Sequence, residues 1–365
     1  MNKILIIRAD ASVQIGTGHV MRCLTLADEL RERGADIIFV CREFDGNLCG
    51  YIEEKHYIVH RLPVSNEQEH NIEGNLKHAV WLGADWQTDA RQVEEIIKGV
   101  DTPPDWLVVD HYAIDERWEG HLRPYCKKIM AIDDLADRPH DCDLLLDQNF
   151  YENLESRYDG LVPAWCKKLL GPKYALLRPE FREARKNLRK RDGHVKRIMI
   201  FFGGSDLSNE TAKALEAVRM LNRPDIAVDV VVGAFNQNKE EIKELYSIIP
   251  NIHYHHKADN MAQLMIDADL YIGAGGSTTW ERCILGLPTI TLVVAENQAE
   301  TTGAVAKAGA SLNLGWSEAV DVARLVDTIK AMIENPQQIK EMSNKAKCIV
   351  YPERESTLLN IMTEK

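Results

Sequence analysis

A histidine set directly after a pair of glycines, Gly16-Thr17-Gly18-His19, stands where an apolar strand gives way to a helical pattern. Gly16 and Gly18 leave the backbone bare, so a ligand can approach it closely. The positive end of a helix dipole disfavours imidazolium, and this placement therefore suits a neutral ring that takes a proton as a base. Asp10, or another carboxylate brought into the same cleft, could orient the second ring nitrogen. The competing reading is a first-turn histidine that merely caps or packs. A dinucleotide fingerprint is a poor fit, because Met21 occupies the third glycine position.

A second loop, GAGGSTTWERCILGLP (273–288), also leaves a strand and opens a helix. Gly275 and Gly276, with Gly273, free the backbone; Ser277 can cap, and with Thr278 it opens a turn whose amides could hold a diphosphate. Glu281 follows in the first turns, where a carboxylate could accept both hydroxyls of a ribose. A third loop, FFGGSDLSNET (201–211), repeats the design: Gly203, Gly204 and Ser205 are candidate phosphate donors, and Asp206 or Ser208 is expected to cap the helix. Asp110, His111 and Tyr112 lie at a strand C-terminal end, where α/β sites are built. DDLADRPHDCD (133–143) and His253, His255, His256 invite comparison with metal sites. Neither has a ligand spacing that favours one: capping aspartates explain the first, and only two of the three histidines share a strand face. No metal and no cofactor are expected.

These loops need strands and helices to hold them. Short β-rich runs alternate with helical patterns, the sign of a parallel α/β architecture. Strands are expected at 3–9, 36–42, 105–112, 128–134 and 143–149, then at 197–204, 226–233, 252–256, 269–276 and 288–294. The clearest early helix starts near His19, turns Val20, Leu24, Ala27 and Leu30 inward, and stops at Gly34. The expected organisation is a Rossmann-like domain over 1–177, a polar basic linker at 178–196, a second Rossmann-like domain over 197–351, and a tail helix within 352–365 that crosses back to the first. Two such domains would leave a cleft, with loops from strand C-terminal ends facing it.

At 365 residues, two domains are the natural reading, each able to bury its own core. The net charge of −12 argues against a nucleic-acid binder or a polybasic membrane protein, though a small anion needs only local donors. The eight cysteines are scattered and read as reduced thiols of a cytoplasmic protein. MNKILIIRAD lacks the form of a signal peptide, and no apolar run nears the ~20 residues of a spanning helix. No nucleic-acid or membrane partner is expected, and a monomer is the working expectation.

The first loop, read as R-x-D-x-S-x-x-I-G-x-G-H-x-x-R-C-L-x-L-A, resembles the opening signature of the PseG family of UDP-sugar hydrolases in pseudaminic acid biosynthesis. The DHY strand end, FFGGSD and GGSTTWERCILGLPTITLVVAENQ fit the same pattern, and the last is shared with the wider GT-B superfamily that includes MurG. The resemblance implies a GT-B fold and metal-free, inverting cleavage of UDP-2,4-diacetamido-2,4,6-trideoxy-β-L-altropyranose to UDP and free sugar. Through that pathway it implies a link to flagellin glycosylation. It puts His19 in the place of the catalytic histidine, Tyr112 and Asn297 at substrate-contacting positions, Glu281 on the ribose and Gln298 near the sugar. The alternatives are a MurG-like glycosyltransferase, a hydrolysing UDP-HexNAc 2-epimerase and a non-catalytic UDP-sugar sensor.

Overall fold

In the computed structural model, residues 2–64, 76–247, 251–256, 258–350 and 355–364 are described. The chain divides into two units. The first comprises Met1–Asn149, Asn153–Leu176 and Glu353–Lys365; the second comprises Phe150–Glu152 and Leu177–Pro352.

The first unit runs β1 (Ile4–Ala9), α1 (Gly18–Glu32), β2 (Asp36–Arg42), α2 (Cys49–Glu54), β3 (Ile58–Leu62), α3 (Trp86–Lys98), β4 (Trp106–Asp110), α4 (Glu116–Leu122), β5 (Ile129–Ile132), β6 (Leu144–Asp147) and β7 (Lys167–Leu170). Its strands form one parallel sheet in the order β3-β2-β1-β4-β5-β6-β7. Leu5, Ile6 and Ile7 of β1 and Leu107 and Val108 of β4 are wholly buried. Helices cover both faces of such a sheet, so its inner strands read as continuous apolar runs. The strand order reverses between β1 and β4, and their register sets Ala9 opposite Asp110.

The second unit runs α5 (Pro179–Lys186), β8 (Arg197–Phe201), α6 (Glu210–Leu221), β9 (Ala227–Val232), α7 (Lys239–Ser247), β10 (Ile252–His256), α8 (Met261–Asp267), β11 (Leu270–Ala274), α9 (Thr278–Ile284), β12 (Thr289–Val293), α10 (Glu296–Lys307), β13 (Leu312–Trp316), α11 (Val322–Ile333) and α12 (Pro336–Lys347). Its parallel sheet has the order β10-β9-β8-β11-β12-β13, with the reversal between β8 and β11. Ile198, Ile200, Val230, Ile272, Ile290 and Leu325 lie at the centre of its core.

Residues 178–196, read from sequence as a linker, begin with α5 and continue along the second unit. Arg191 is buried there and donates to the carbonyls of Leu285 at 2.8 Å and Met265 at 2.9 Å. The last helix, α13 (Glu355–Thr363), belongs to the first unit. Leu358, Leu359 and Met362 are buried, and the Trp106 indole N–H donates to the Met362 carbonyl at 3.2 Å. Pro352, where the sequence reading starts the tail helix, lies outside the described residues.

Candidate active site

The loop from β1 to α1 is organised by Ser12. Its hydroxyl accepts from the amides of Gln14 (3.2 Å) and Ile15 (2.9 Å), and its carbonyl accepts from Gly16 N at 2.8 Å. Gly16 closes that turn with φ of +78°, a conformation that other residues adopt only with strain. Gly18 then opens α1, with no side-chain cap from Thr17, and His19 follows in the first turn.

His19 is buried. Its Nδ1 sits 2.6 Å from Oδ1 of Asp110, the last residue of β4. Arg22, one helical turn after His19, grips the same carboxylate at two points: Nε to Oδ2 and Nη2 to Oδ1, both 2.6 Å. Its Nη1 reaches Asp134 Oδ2 at 2.9 Å, and Asp134 Oδ1 accepts from the Tyr112 hydroxyl at 2.6 Å. The Tyr112 ring meets His19 edge-on with centroids 4.5 Å apart, and Trp81 stacks on Tyr112 at 5.9 Å. Burial on its own would raise the Asp110 pKa, but the charges of Arg22 and His19 outweigh it and hold the carboxyl far below its usual range. An ionised Asp110 accepts and cannot donate, so His19 carries a proton on Nδ1, and Nε2 is the nitrogen that this contact leaves over.

Asp10 does not orient His19. It is fully buried, accepting from Arg8 Nη1 and from the Arg42 amide, both at 2.6 Å. Arg8 goes on to hold Asp89 by two bonds, of 3.2 and 2.7 Å. Asp10 thus ties the ends of β1 and β2 together and offers no oxygen to a ligand at the surface. Tyr112 is buried, with its hydroxyl donated to Asp134.

The aspartates of 133–143 are held chiefly by arginines. Asp133 and Asp137 pair with Arg138, Asp134 with Arg22, and Asp141 and Asp143 with Arg123. His140 Nδ1 lies 2.7 Å from Glu119. Among the described residues no group of three His, Cys, Asp or Glu side chains is arranged to share a metal ion. His255 instead pairs with Asp229 at 2.9 Å.

In the second unit the corresponding loops are mostly backbone. Gly203, Gly204 and Ser205 form a half-buried turn after β8, and the Gly204 carbonyl accepts from Phe235 N at 3.1 Å. Asp206 is the cap: its two carboxylate oxygens accept from the amides of Glu210 and Thr211, each at 2.9 Å. Ser208 is exposed, and Ser277 makes no side-chain cap to α9. Gly275 is buried against α10, where a Cβ would collide with Thr302 Oγ1. Gly276 and Thr278 are half-buried and Ser277 is exposed. Glu281 is 9% exposed; its Oε1 accepts from Arg178 at 2.9 Å. Its Oε2 and the hydroxyls of Thr301 and Thr302 are buried without a hydrogen-bond partner among the described residues. Such atoms are uncommon in native folds, where water, an ion or a ligand completes their bonding. Asn297 is exposed at the start of α10, while Gln298 accepts from Val294 N at 3.3 Å.

Residues 198–355 match the glycosyltransferase family 28 C-terminal domain. The chain is 32% identical over 304 residues to the uncharacterized protein MJ1062 of Methanocaldococcus jannaschii, covering 82% of this chain and 57% of that protein. The chain thus spans little more than half of that relative's length. It is 28% identical over 307 residues to the UDP-2,4-diacetamido-2,4,6-trideoxy-beta-L-altropyranose hydrolase of Campylobacter jejuni, covering 84% of this chain and 97% of the hydrolase. Among solved structures, Acinetobacter baumannii MurG aligns over 100% of both chains with a TM-score of 0.64 and 14% identity. The chain has the GT-B fold. The resemblance read from the loops holds: a PseG hydrolase is among its relatives and MurG among its structural neighbours. In this GT-B chain both constellations sit at the reversal of strand order in their own sheet, the loops after β1 and β4 in one unit and after β8 and β11 in the other.

Arg22, Asp134 and Trp81 did not emerge from the sequence reading as site residues. Arg22 had a signal, since i and i+3 share a helix face and His19 was already marked. Asp134 was visible only as one loop aspartate among several. Trp81 belongs to a short 3₁₀ turn, Ala79–Leu82, that no periodicity announces.

Proposed function

We propose that the protein is a nucleotide-sugar hydrolase that splits UDP-2,4-diacetamido-2,4,6-trideoxy-β-L-altropyranose into UDP and the free sugar, by attack of water at the anomeric carbon with inversion. One observation carries the reading: a buried histidine at a helix start, held through Nδ1 by an ionised aspartate at 2.6 Å, so that Nε2 is left to act as base. The 28% identity to the Campylobacter jejuni hydrolase along nearly the whole of that enzyme supports the choice of substrate.

Nε2 of His19 takes a proton from water while the oxygen bonds to the anomeric carbon. The bond from that carbon to the UDP oxygen breaks, and the diphosphate leaves with the electron pair. Backbone amides of the turn Gly275–Thr278, with Gly203–Ser205, are assigned to the diphosphate, since oriented amides stabilise developing negative charge. The spare Oε2 of Glu281 is assigned to the ribose hydroxyls, and Asn297 and Gln298 to the sugar. No metal is required in this scheme. The resulting imidazolium, paired with Asp110, returns its proton to solvent. The reading makes the protein a cytoplasmic enzyme of pseudaminic acid biosynthesis.

The match to a glycosyltransferase domain favours a second reading, transfer of the sugar to an acceptor. Proton NMR of the purified protein with the UDP-sugar, in EDTA and deuterated buffer without acceptor, separates the two. Release of UDP with a single first-formed anomer and no deuterium at C2 is the expected result. An unchanged substrate beside a protein that binds UDP would overturn hydrolysis in favour of transfer, and deuterium at C2 would indicate the epimerase route.

A further inference from the structure

Asp110 has more partners than a histidine-orienting carboxylate needs. Oδ1 receives His19 Nδ1 and Arg22 Nη2, while Oδ2 receives Arg22 Nε and, at 3.5 Å, the Cys23 thiol. A carboxylate held by a two-point guanidinium fork is fixed in plane and in charge. The fork itself comes within 3.3 Å of His19 Nδ1, and a guanidinium only donates, so it offers that nitrogen no acceptor. We infer that Arg22 is the positioning residue that sets how strongly His19 holds a proton and on which nitrogen, acting through Asp110. The inference rests on the assignment of His19 as the base.

The charges around His19 explain the effect. Asp110 comes from the end of β4, Arg22 and Cys23 from α1, Tyr112 from the loop after β4, and Asp134 from the loop after β5. His111, the next residue after Asp110, faces Asp10 at 3.4 Å, and Asp10 pairs with Arg8. Burial lowers the His111 pKa by more than Asp10 raises it. Two aspartates would by themselves stabilise an imidazolium and spoil the base. Arg22 cancels one of them at the contact, leaving His19 an oriented carboxylate without its full field. Through Asp134 the same guanidinium also reaches Tyr112, whose ring edge limits rotation of the imidazole. A bare histidine–aspartate pair has only one of these controls.

The test reads the imidazole directly and needs no substrate. The signals of His19 among the twelve histidines are identified by comparing ¹H–¹⁵N spectra of the wild type and His19→Gln, then followed against pH. The wild type should show a single neutral tautomer with the proton on Nδ1. Arg22→Met removes the charge, and the imidazolium midpoint should rise by about one pH unit or more. The acid limb of kcat/KM for UDP-sugar hydrolysis should move up with it. Arg22→Lys keeps the charge and loses the fork, so the midpoint should stay near wild type while the ring divides between two tautomers. A wild-type midpoint in folded R22M overturns the inference, even if Tm falls, since a purely structural role would lower Tm alone. Should R22M not fold, R22K decides: one unchanged tautomer overturns the inference and a mixture supports it. Lack of hydrolysis by the wild type would remove the proposed function and leave the imidazole result standing.

Discussion

The loop leaving β1 and the loop leaving β8 hold the same place in their sheets, yet they are built in opposite ways. Residues 10–17 lead to a histidine whose every orientation is fixed by charged side chains, from Asp110 through Arg22 to Asp134. Residues 202–209 lead to a capped helix, and the neighbouring loop after β11 supplies glycine, backbone and one carboxylate with an unused oxygen. A proton-transfer group must be held in one tautomer at one angle, which side-chain networks do well. A diphosphate site needs room and oriented amides, which side chains obstruct. On the proposed function, one fold used twice in one chain is specialised by how much of each loop is side chain.

That division of labour can be broken experimentally. The largest effect is expected for His19→Ala, with kcat reduced by about 10²–10⁴-fold and UDP affinity unchanged by calorimetry. A parallel loss of UDP binding would mean that the two units do not divide the work. Glu281→Ala should show the mirror image. UDP affinity should fall by about 10–100-fold, as for a lost charged hydrogen-bond partner, with kcat at saturation nearly kept. Gly275→Ala places a methyl group against Thr302 Oγ1, and overpacking of this kind costs about 1–3 kcal/mol, read as a lower midpoint in urea. Adding Thr302→Ala should recover most of that loss; no recovery would show that the backbone, not the collision, sets the requirement for glycine.

The smallest effect sharpens the picture of the charged half. His140 is buried, which lowers its pKa, but Glu119 at 2.7 Å and then Asp133 raise it by more, so it lies above its ordinary 6.5 in the folded protein. The stability this adds is complete below about pH 6.5 and is lost as pH rises through the folded value. Tm of the wild type should therefore fall on the alkaline side of that window more than Tm of His140→Gln does, a difference that differential scanning fluorimetry across pH will reveal. Parallel slopes would mean that His140 is not charged in the fold.

The sequence made the central strands easy to see, because burial on both faces leaves uninterrupted apolar runs such as Ile4–Ile7 and Trp106–Val109. It hid the strands β3, β7 and β13, which are sheet edges. Their sequences, IVHRL, KKLL and LNLGW, mix polar and apolar residues because one side is open to solvent. His19 and Asp110 were each visible, but not as partners. They are ninety-one residues apart, and only the pairing of β1 with β4 brings Asp110 beside the loop. Asp10 was nearer in sequence, and the alternation of a strand sent it instead toward Arg8 and the β2 end. Local spacing predicts neighbours on a helix, as Arg22 illustrates, while sheet order has to be seen.

The helix α13 follows the whole second unit in the chain, although it packs on the first. During synthesis, therefore, the surface around Trp106 that α13 covers stays bare while about 180 further residues are made, at roughly 5–20 residues per second. For that interval the nascent first unit presents an apolar face to the crowded cell, and it is finished only after the second unit has been translated.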